Sequence, residues 1–244
     1  MTAPPPNKSL RDEASQLWIP SWLGSPRLAK YLDESDGSFQ FAMVLYEWHA
    51  QVSAAFLHDL AHFEVCLRNA YDICLTQHLQ VADHWSFKGD DLFSVRRAPD
   101  AMTRAAASLA KSQRVLARAT LHARTPDDVI SRLPFGFWRA LTSSSHEIAI
   151  WRPALHRAYP PGTRRADVSD SVSRLHRLRN RCAHHKSLLH LDLYALHLDL
   201  LTLAGTLQPK VAERIARHTQ VPSLLAPAPL AGDAATAASV ALGT

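Results

Sequence analysis

Residues 175–186 read Leu175-His176-Arg177-Leu178-Arg179-Asn180-Arg181-Cys182-Ala183-His184-His185-Lys186, a run of cations, imidazoles and one amide. Arg179 is always charged and offers a planar fork of donors that fits a phosphate. The imidazole of His184 can take or give a proton near neutral pH. Asn180 lies four residues before His184, on the same helix face, and can orient that imidazole. Arg179 and His184 are five apart, about 140° around an ideal helix. One straight helix cannot close both on a single phosphate. Either the helix distorts, or a second copy completes the site, which predicts a symmetric dimer with Arg179 and His184 near its two-fold axis.

These groups need a scaffold. Leu175, Leu178, Cys182 and Leu189 thread the run at helical spacing, so the motif helix and its successor are expected from Asp167 to about Gln208, with Ser169 or Asp170 as cap. Leucines dominate residues 188–203, which suits a bundle centre or a dimer seam. A long helix or kinked pair is expected from Phe39 to about Gln80. One stripe on it is Leu45, Trp48, Val52, Phe56, Phe63, Leu67 and Cys74; the neighbouring stripe is Leu57, Leu60, Glu64, Arg68, Tyr71 and Leu75. Glu64 and Arg68 form an i,i+4 pair. It is either an intrahelical ion pair worth about 0.2–0.5 kcal/mol, or a support by which Glu64 holds Arg68, with Arg68 or Asn69 lining a cleft. An alanine-rich helix over 101–123 carries Arg104, Lys111, Arg114 and Arg118 as a basic stripe that could track a nucleic-acid backbone. Arg177, Arg181 and Lys186 extend the basic face of the motif. Thr125-Pro126-Asp127-Asp128 is a helix start. Phe135, Phe137, Trp138 and Leu141 then plug a core, and Pro160-Pro161-Gly162 ends the next helical stretch.

A second cluster competes. His58-Asp59-Leu60-Ala61-His62 places two histidines on one helix face, the spacing of a zinc-binding pair, but with Asp in place of the longer Glu and no evident third ligand. The principal reading therefore includes no metal and no cofactor. A metal-dependent hydrolase built on His58 and His62 stands as an alternative.

The 244 residues carry a formal charge of +5, are 47% hydrophobic and include only 8 glycines. That balance favours helices over sheet and supports a real core. The basicity is compatible with RNA but modest for a dedicated nucleic-acid binder. Cys66, Cys74 and Cys182 make no disulfide framework and no CxxC pair, which suits a reducing compartment. Residues 1–15 are polar and proline-rich without a signal-peptide core, and no uninterrupted apolar window spans a bilayer, so the expected compartment is the cytoplasm. No Gly-rich phosphate loop, Ser-His-Asp constellation or internal repeat is present. The expected organisation is a flexible tail over 1–15, a single helical domain over 16–220 and a disordered Ala/Pro-rich tail over 221–244.

The segment Leu178-Arg179-Asn180-Arg181-Cys182-Ala183-His184-His185 resembles the Arg-Asn-x-x-x-His signature of HEPN-type helical ribonucleases. More narrowly, it resembles the Leu-Arg-Asn-x-x-Ala-His-His form of bacterial Abi-like (abortive infection) proteins. Glu64-Val65-Cys66-Leu67-Arg68-Asn69 is similar to that family's early Glu-x-x-Leu-Arg segment. Leu133-Pro134-Phe135-Gly136-Phe137-Trp138 is similar to its central Phe-Gly-Phe-Trp segment. The three occur in the family's order. After the motif the family often continues His-His-Glu-Pro, where this chain has His185-Lys186-Ser187. The resemblance implies an all-α, HEPN-like bundle with an N-terminal helical extension. It also implies metal-independent cleavage of RNA to 2′,3′-cyclic phosphate ends by an antiphage toxin, with room for an antitoxin partner. Arg179 and His184 would be catalytic, with Asn180, His185, Glu64, Arg68 and Asn69 in support. A non-catalytic helical RNA-binding or interaction module on the same basic face is the other alternative.

Overall fold

The computed structural model describes residues 18–79, 84–93 and 103–226, and every regular element among them is helical. The expected N-terminal tail, much of the connector near residues 81–100, the side chain of Arg104 and residues 227–244 lie outside the described residues. In chain order the helices are α1 (Ile19–Leu23), α2 (Ser25–Asp33), α3 (Phe39–Leu79), α4 (Gly89–Phe93), α5 (Thr103–Thr120), α6 (Pro126–Arg132), α7 (Phe135–Leu141), α8 (Arg165–Ala183), α9 (Leu193–Leu207), α10 (Pro209–His218) and α11 (Val221–Leu225). A π-helical turn, Glu147–Trp151, and short 3-10 turns interrupt the stretch between α7 and α8. The fold is all-α. No helix among the described residues is long and apolar enough to cross a membrane.

One helical domain over 16–220 is the sequence expectation; the described residues fall into two compact units, 18–52 with 223–226, and 53–222. In the smaller unit, Gly24 at φ +79° ends α1 and opens α2, a backbone conformation that glycine adopts without steric cost. Ile19, Leu23 and Leu28 are buried there against Leu32, Phe39, Met43 and Tyr46. Trp48 Nε1 donates to the Leu224 carbonyl at 2.8 Å. Leu224 belongs to α11, so residues 221–225 form a helix where a disordered tail is expected. The reason is visible in the spacing: Val221 and Leu225, four apart, are both buried.

In the larger unit, Phe56, Leu60, Phe63, Leu67, Tyr71 and Leu75 repeat every three or four residues along α3, and each is at most 1% exposed. Burial of each large apolar side chain contributes about 1.5–3 kcal/mol. Phe63 meets Phe135 of α7 at 6.1 Å between rings, and Trp85 packs edge-on against Trp138 while donating to Asp72 at 2.6 Å. Thr125 and Asp128 form the reciprocal capping box that starts α6. These contacts fix α7 on α3 and leave a seat for α8.

Candidate functional site

Three features hold α8, the helix that carries the Arg-Asn motif. Its start is tied down by Arg165, which donates to Glu147 at 3.1 Å and to the Thr142 carbonyl at 2.8 Å. Its middle is joined to α9 by Arg174, which donates to Asp199 at 2.9 Å. Its seam, Val168, Val172, Leu175, Leu178 and Cys182, is no more than 3% exposed anywhere. Burial pushes the Cys182 thiol up to about 11, so it stays protonated as a small core side chain.

The helix stops inside the motif. Ala183 is its last residue, and Leu189, the fourth member of the sequence thread, lies beyond it. His185 N–H donates to the Cys182 carbonyl at 3.1 Å and Lys186 N–H to the Arg181 carbonyl at 2.8 Å. That bond pair is a Schellman ending, with His185 in the left-handed position at φ +51° where glycine is normally preferred. Arg181 locks the turn by donating from Nε to the Ser187 carbonyl at 3.0 Å, with its Nη2 on the same oxygen. A non-glycine residue in this conformation carries about 1–2 kcal/mol of strain, and such strain gathers where a side chain is needed. His185→Gly is therefore expected to raise the stability by about 1 kcal/mol in urea melts. A variant no more stable than wild type shows that His185 stores no strain in this turn.

Arg179, Asn180 and His176 project along one flank of the seam and meet residues from α3 and α7. Arg179 Nε lies 4.0 Å from Glu64 Oε2 of α3, and Arg179 Nη1 donates to Asn180 Oδ1 at 3.4 Å. That bond turns the Asn180 amide so that its Nδ2 donates to His176 Nε2 at 3.2 Å. The Phe135 ring of α7 stands edge-on to His176 at 5.3 Å, and a Cβ on Gly136 would be 3.5 Å from His176 Nε2. Burial, then the positive charges of Arg139, Arg179 and Arg177, hold the His176 imidazole below its ordinary pKa. The imidazole is thus neutral at pH 7, with its proton on Nδ1. Burial lifts the Glu64 carboxyl above its ordinary value, against the pull of Arg179 and Arg68.

This geometry revises two expectations. Glu64 pairs with Arg179 of α8 and makes no hydrogen bond or ion pair with Arg68; Arg68 is half-buried and its Nε has no acceptor among the described residues. Asn180 orients His176 and touches His184 only through its backbone carbonyl, which accepts from His184 N–H at 3.1 Å. His184 and His185 are exposed, and neither imidazole hydrogen-bonds to a described residue. Asn69 is exposed on α3. His176 and Arg139 are the members that sequence reading missed. His176 stands four residues before Asn180, so the i,i+4 step could have found it; nothing in the local sequence marks Arg139.

The basic candidates separate. Lys111, Arg114 and Arg118 are exposed along α5, and Arg177 is exposed on α8. Lys186 is exposed too, whereas Arg181 is half-buried and committed to the Ser187 carbonyl. Arg174, Arg177 and Arg181 line a groove of about 660 Å³ between α8 and α9, with Leu178, Leu191 and Leu196 in its wall. At about 100° per residue this groove lies on the other flank of the seam from Arg179. His58 and His62 sit edge-on at 5.0 Å, and no group of three His, Cys, Asp or Glu residues suited to a metal occurs among the described residues. Asp59, between them, is fully buried and accepts from Thr219 at 2.5 Å and from His58 at 3.0 Å, which makes it a tether for the end of α10.

No family model matches this chain, and neither does any curated protein or solved structure. Helices α3, α7 and α8 bring together a half-buried Glu64–Arg179–Asn180–His176 chain that ends against the Phe135 ring.

Proposed function

We propose that this protein is a metal-independent endoribonuclease of the HEPN type. It would act in the cytoplasm as an Abi-like defence toxin, its larger unit being a HEPN-like bundle. One observation carries the reading. Two of the segments that resemble the Abi-like pattern meet directly, Glu64 with Arg179 at 4.0 Å, and Phe135 of the central segment packs on Phe63 and His176, which flank the other two. A core alone needs no carboxylate under an arginine at a helix end. Such a prop holds the guanidinium fork in one place at the protein surface.

In the proposed reaction the ribose 2′-oxygen attacks the adjacent phosphorus and the bond from phosphorus to the 5′-oxygen breaks. The products are a 2′,3′-cyclic phosphate and a 5′-hydroxyl. One proton leaves the 2′-hydroxyl and one reaches the 5′-oxygen, with His184 as the transfer group. Arg179 stabilises the charge gathering on the phosphoryl oxygens, and His185 contacts the substrate. Incubating the protein with RNA in EDTA and analysing the ends tests this. Cyclic phosphate ends support it, and folded protein inert on several RNA pools sinks it.

Arg179 lies on α8 and His184 just past its end, on the turn that closes it, and in this reading a second copy completes the site. Mixing Arg179→Ala with His184→Ala protein is then expected to restore about one quarter of wild-type activity. Half of randomly mixed dimers are mixed, and each holds one intact composite site of two. No restoration, with dimers confirmed by sedimentation, places both groups in one chain. An antitoxin that covers the exposed histidines fits the same reading. The exposed cations Arg177, Lys111, Arg114 and Arg118 also suit a non-catalytic RNA-binding module, for which His184→Ala would leave binding and biological effect intact.

A further inference from the structure

Another cluster on α3, which begins six residues before Glu64, is built like half of a metal site. His58 and His62 stand one helical turn apart, and their rings sit edge-on with centres 5.0 Å apart. Two imidazole nitrogens about 2.0–2.1 Å from one zinc ion, at a roughly tetrahedral angle, place their ring centres about 5 Å apart. His58 is exposed and His62 half-buried, so an ion can reach both from solvent. Behind them Asp59 is fully buried. A carboxylate can only accept, so its bond with His58 Nδ1 at 3.0 Å puts the proton on Nδ1 and leaves the Nε2 lone pair free. Thr219, just past α10, donates to the other carboxylate oxygen and fixes it in place. A carboxylate on the far nitrogen of a histidine is the usual backing of a metal ligand. At about 100° per residue the pair lies well around α3 from Glu64, apart from the Arg179 chain.

We propose that His58 and His62 hold one divalent ion of the zinc class per chain, with Asp59 as the carboxylate behind His58. Imidazole suits zinc, nickel and copper, whereas magnesium takes oxygen ligands. No third His, Cys, Asp or Glu among the described residues joins the pair, so water completes the coordination. Asp59 is sealed from solvent, and both its oxygens are engaged, so it does not activate that water. The ion braces the fold. It fixes the His58 ring on Asp59 and, through that carboxylate, ties the middle of α3 to the end of α10. This site is independent of the ribonuclease reading, in which cleavage continues in EDTA.

The test titrates full-length, tag-free protein, stripped with EDTA and dialysed, with zinc chloride in a calorimeter, and with magnesium chloride as the control. One equivalent of zinc per chain, a raised Tm and no response to magnesium are expected. His58→Gln and His62→Gln are each expected to remove that equivalent, and Asp59→Asn to weaken it about 10–100-fold. The two Gln variants change side chains that reach solvent, so they decide the matter even where Asp59→Asn does not fold. Affinity is expected to fall as pH falls, because protons compete for the same lone pairs. Wild type that takes up no zinc overturns the site. Uptake that both Gln variants retain also overturns it, and assigns the ion to others of the 14 histidines. Half an equivalent, with dimers that form on zinc addition, overturns the single-chain site and puts the ion between copies. RNA cleavage is scored separately on the same proteins. Cleavage abolished both by EDTA and by His58→Gln overturns the bracing role and makes the ion catalytic.

Discussion

Arg179→Ala is expected to slow RNA cleavage in EDTA by about 10²–10³-fold, the usual loss when one donor to a developing oxyanion is removed. His184→Ala is expected to cost about 10²–10⁴-fold, the range for a lost proton-transfer group. The two residues are held differently. Arg179 is positioned, with Glu64 at 4.0 Å on one side and Asn180 at 3.4 Å on the other. His184 is exposed just past the last helical residue, on a turn fixed by the Schellman bonds. Arg179→Lys should therefore fail nearly as badly as Arg179→Ala, because an ammonium cannot offer the planar fork. Neither substitution touches the α8 seam, so circular dichroism and Tm should stay close to wild type, which separates lost chemistry from lost structure. Cleavage that EDTA abolishes but these variants leave alone would remove the motif from catalysis.

Much of the scaffold was legible because periodicity reports burial directly. The stripe through Phe56, Phe63 and Leu67 and the thread through Leu175, Leu178 and Cys182 both became core, as amphipathic spacing requires. The capping box at Thr125 was legible for a local reason, since its bonds lie within four residues. Side-chain partners across helices were not. Choosing between Arg68 and Arg179 as the partner of Glu64 depends on how α8 sits on α3, and no local spacing encodes that. The direction of the Asn180 amide failed similarly. Both His176 and His184 stand four residues away from it, and the choice fell to the side on which the helix continues. Asn180 and His176 share helical turns, whereas His184 leaves the helix. The end of α8 escaped notice because its left-handed residue is a histidine and not the glycine that marks most such endings.

Acidification is expected to destabilise the fold well before its carboxylates titrate, and His146 is the main reason. Its side chain is fully buried, with Nε2 at 3.1 Å from Ser112 Oγ and Nδ1 at 3.0 Å from Ser143 Oγ. Burial drives its pKa down from 6.5 to about 4. Hydroxyls could accept from either nitrogen of an imidazolium, so hydrogen bonding does not forbid the charge; desolvation does. Above pH 6.5 the histidine is neutral in both folded and unfolded chains, and its contribution is fully present. Between pH 6.5 and about 4 only the unfolded chain takes up the proton, so stability falls as pH falls. The span from 6.5 to about 4, at about 1.36 kcal/mol per unit, sets that loss at about 3 kcal/mol. His176 and His197, also depressed by burial, add to it in the same direction. Glu64, whose carboxyl is raised, opposes it. His146→Leu should lower stability at pH 8 by about 1–3 kcal/mol, because it leaves the buried Ser112 hydroxyl and the half-buried Ser143 hydroxyl without their partner. It should also flatten the dependence on pH from 6.5 to 4. Urea melts across that window decide the matter: a variant as acid-sensitive as wild type would show that the proton enters elsewhere.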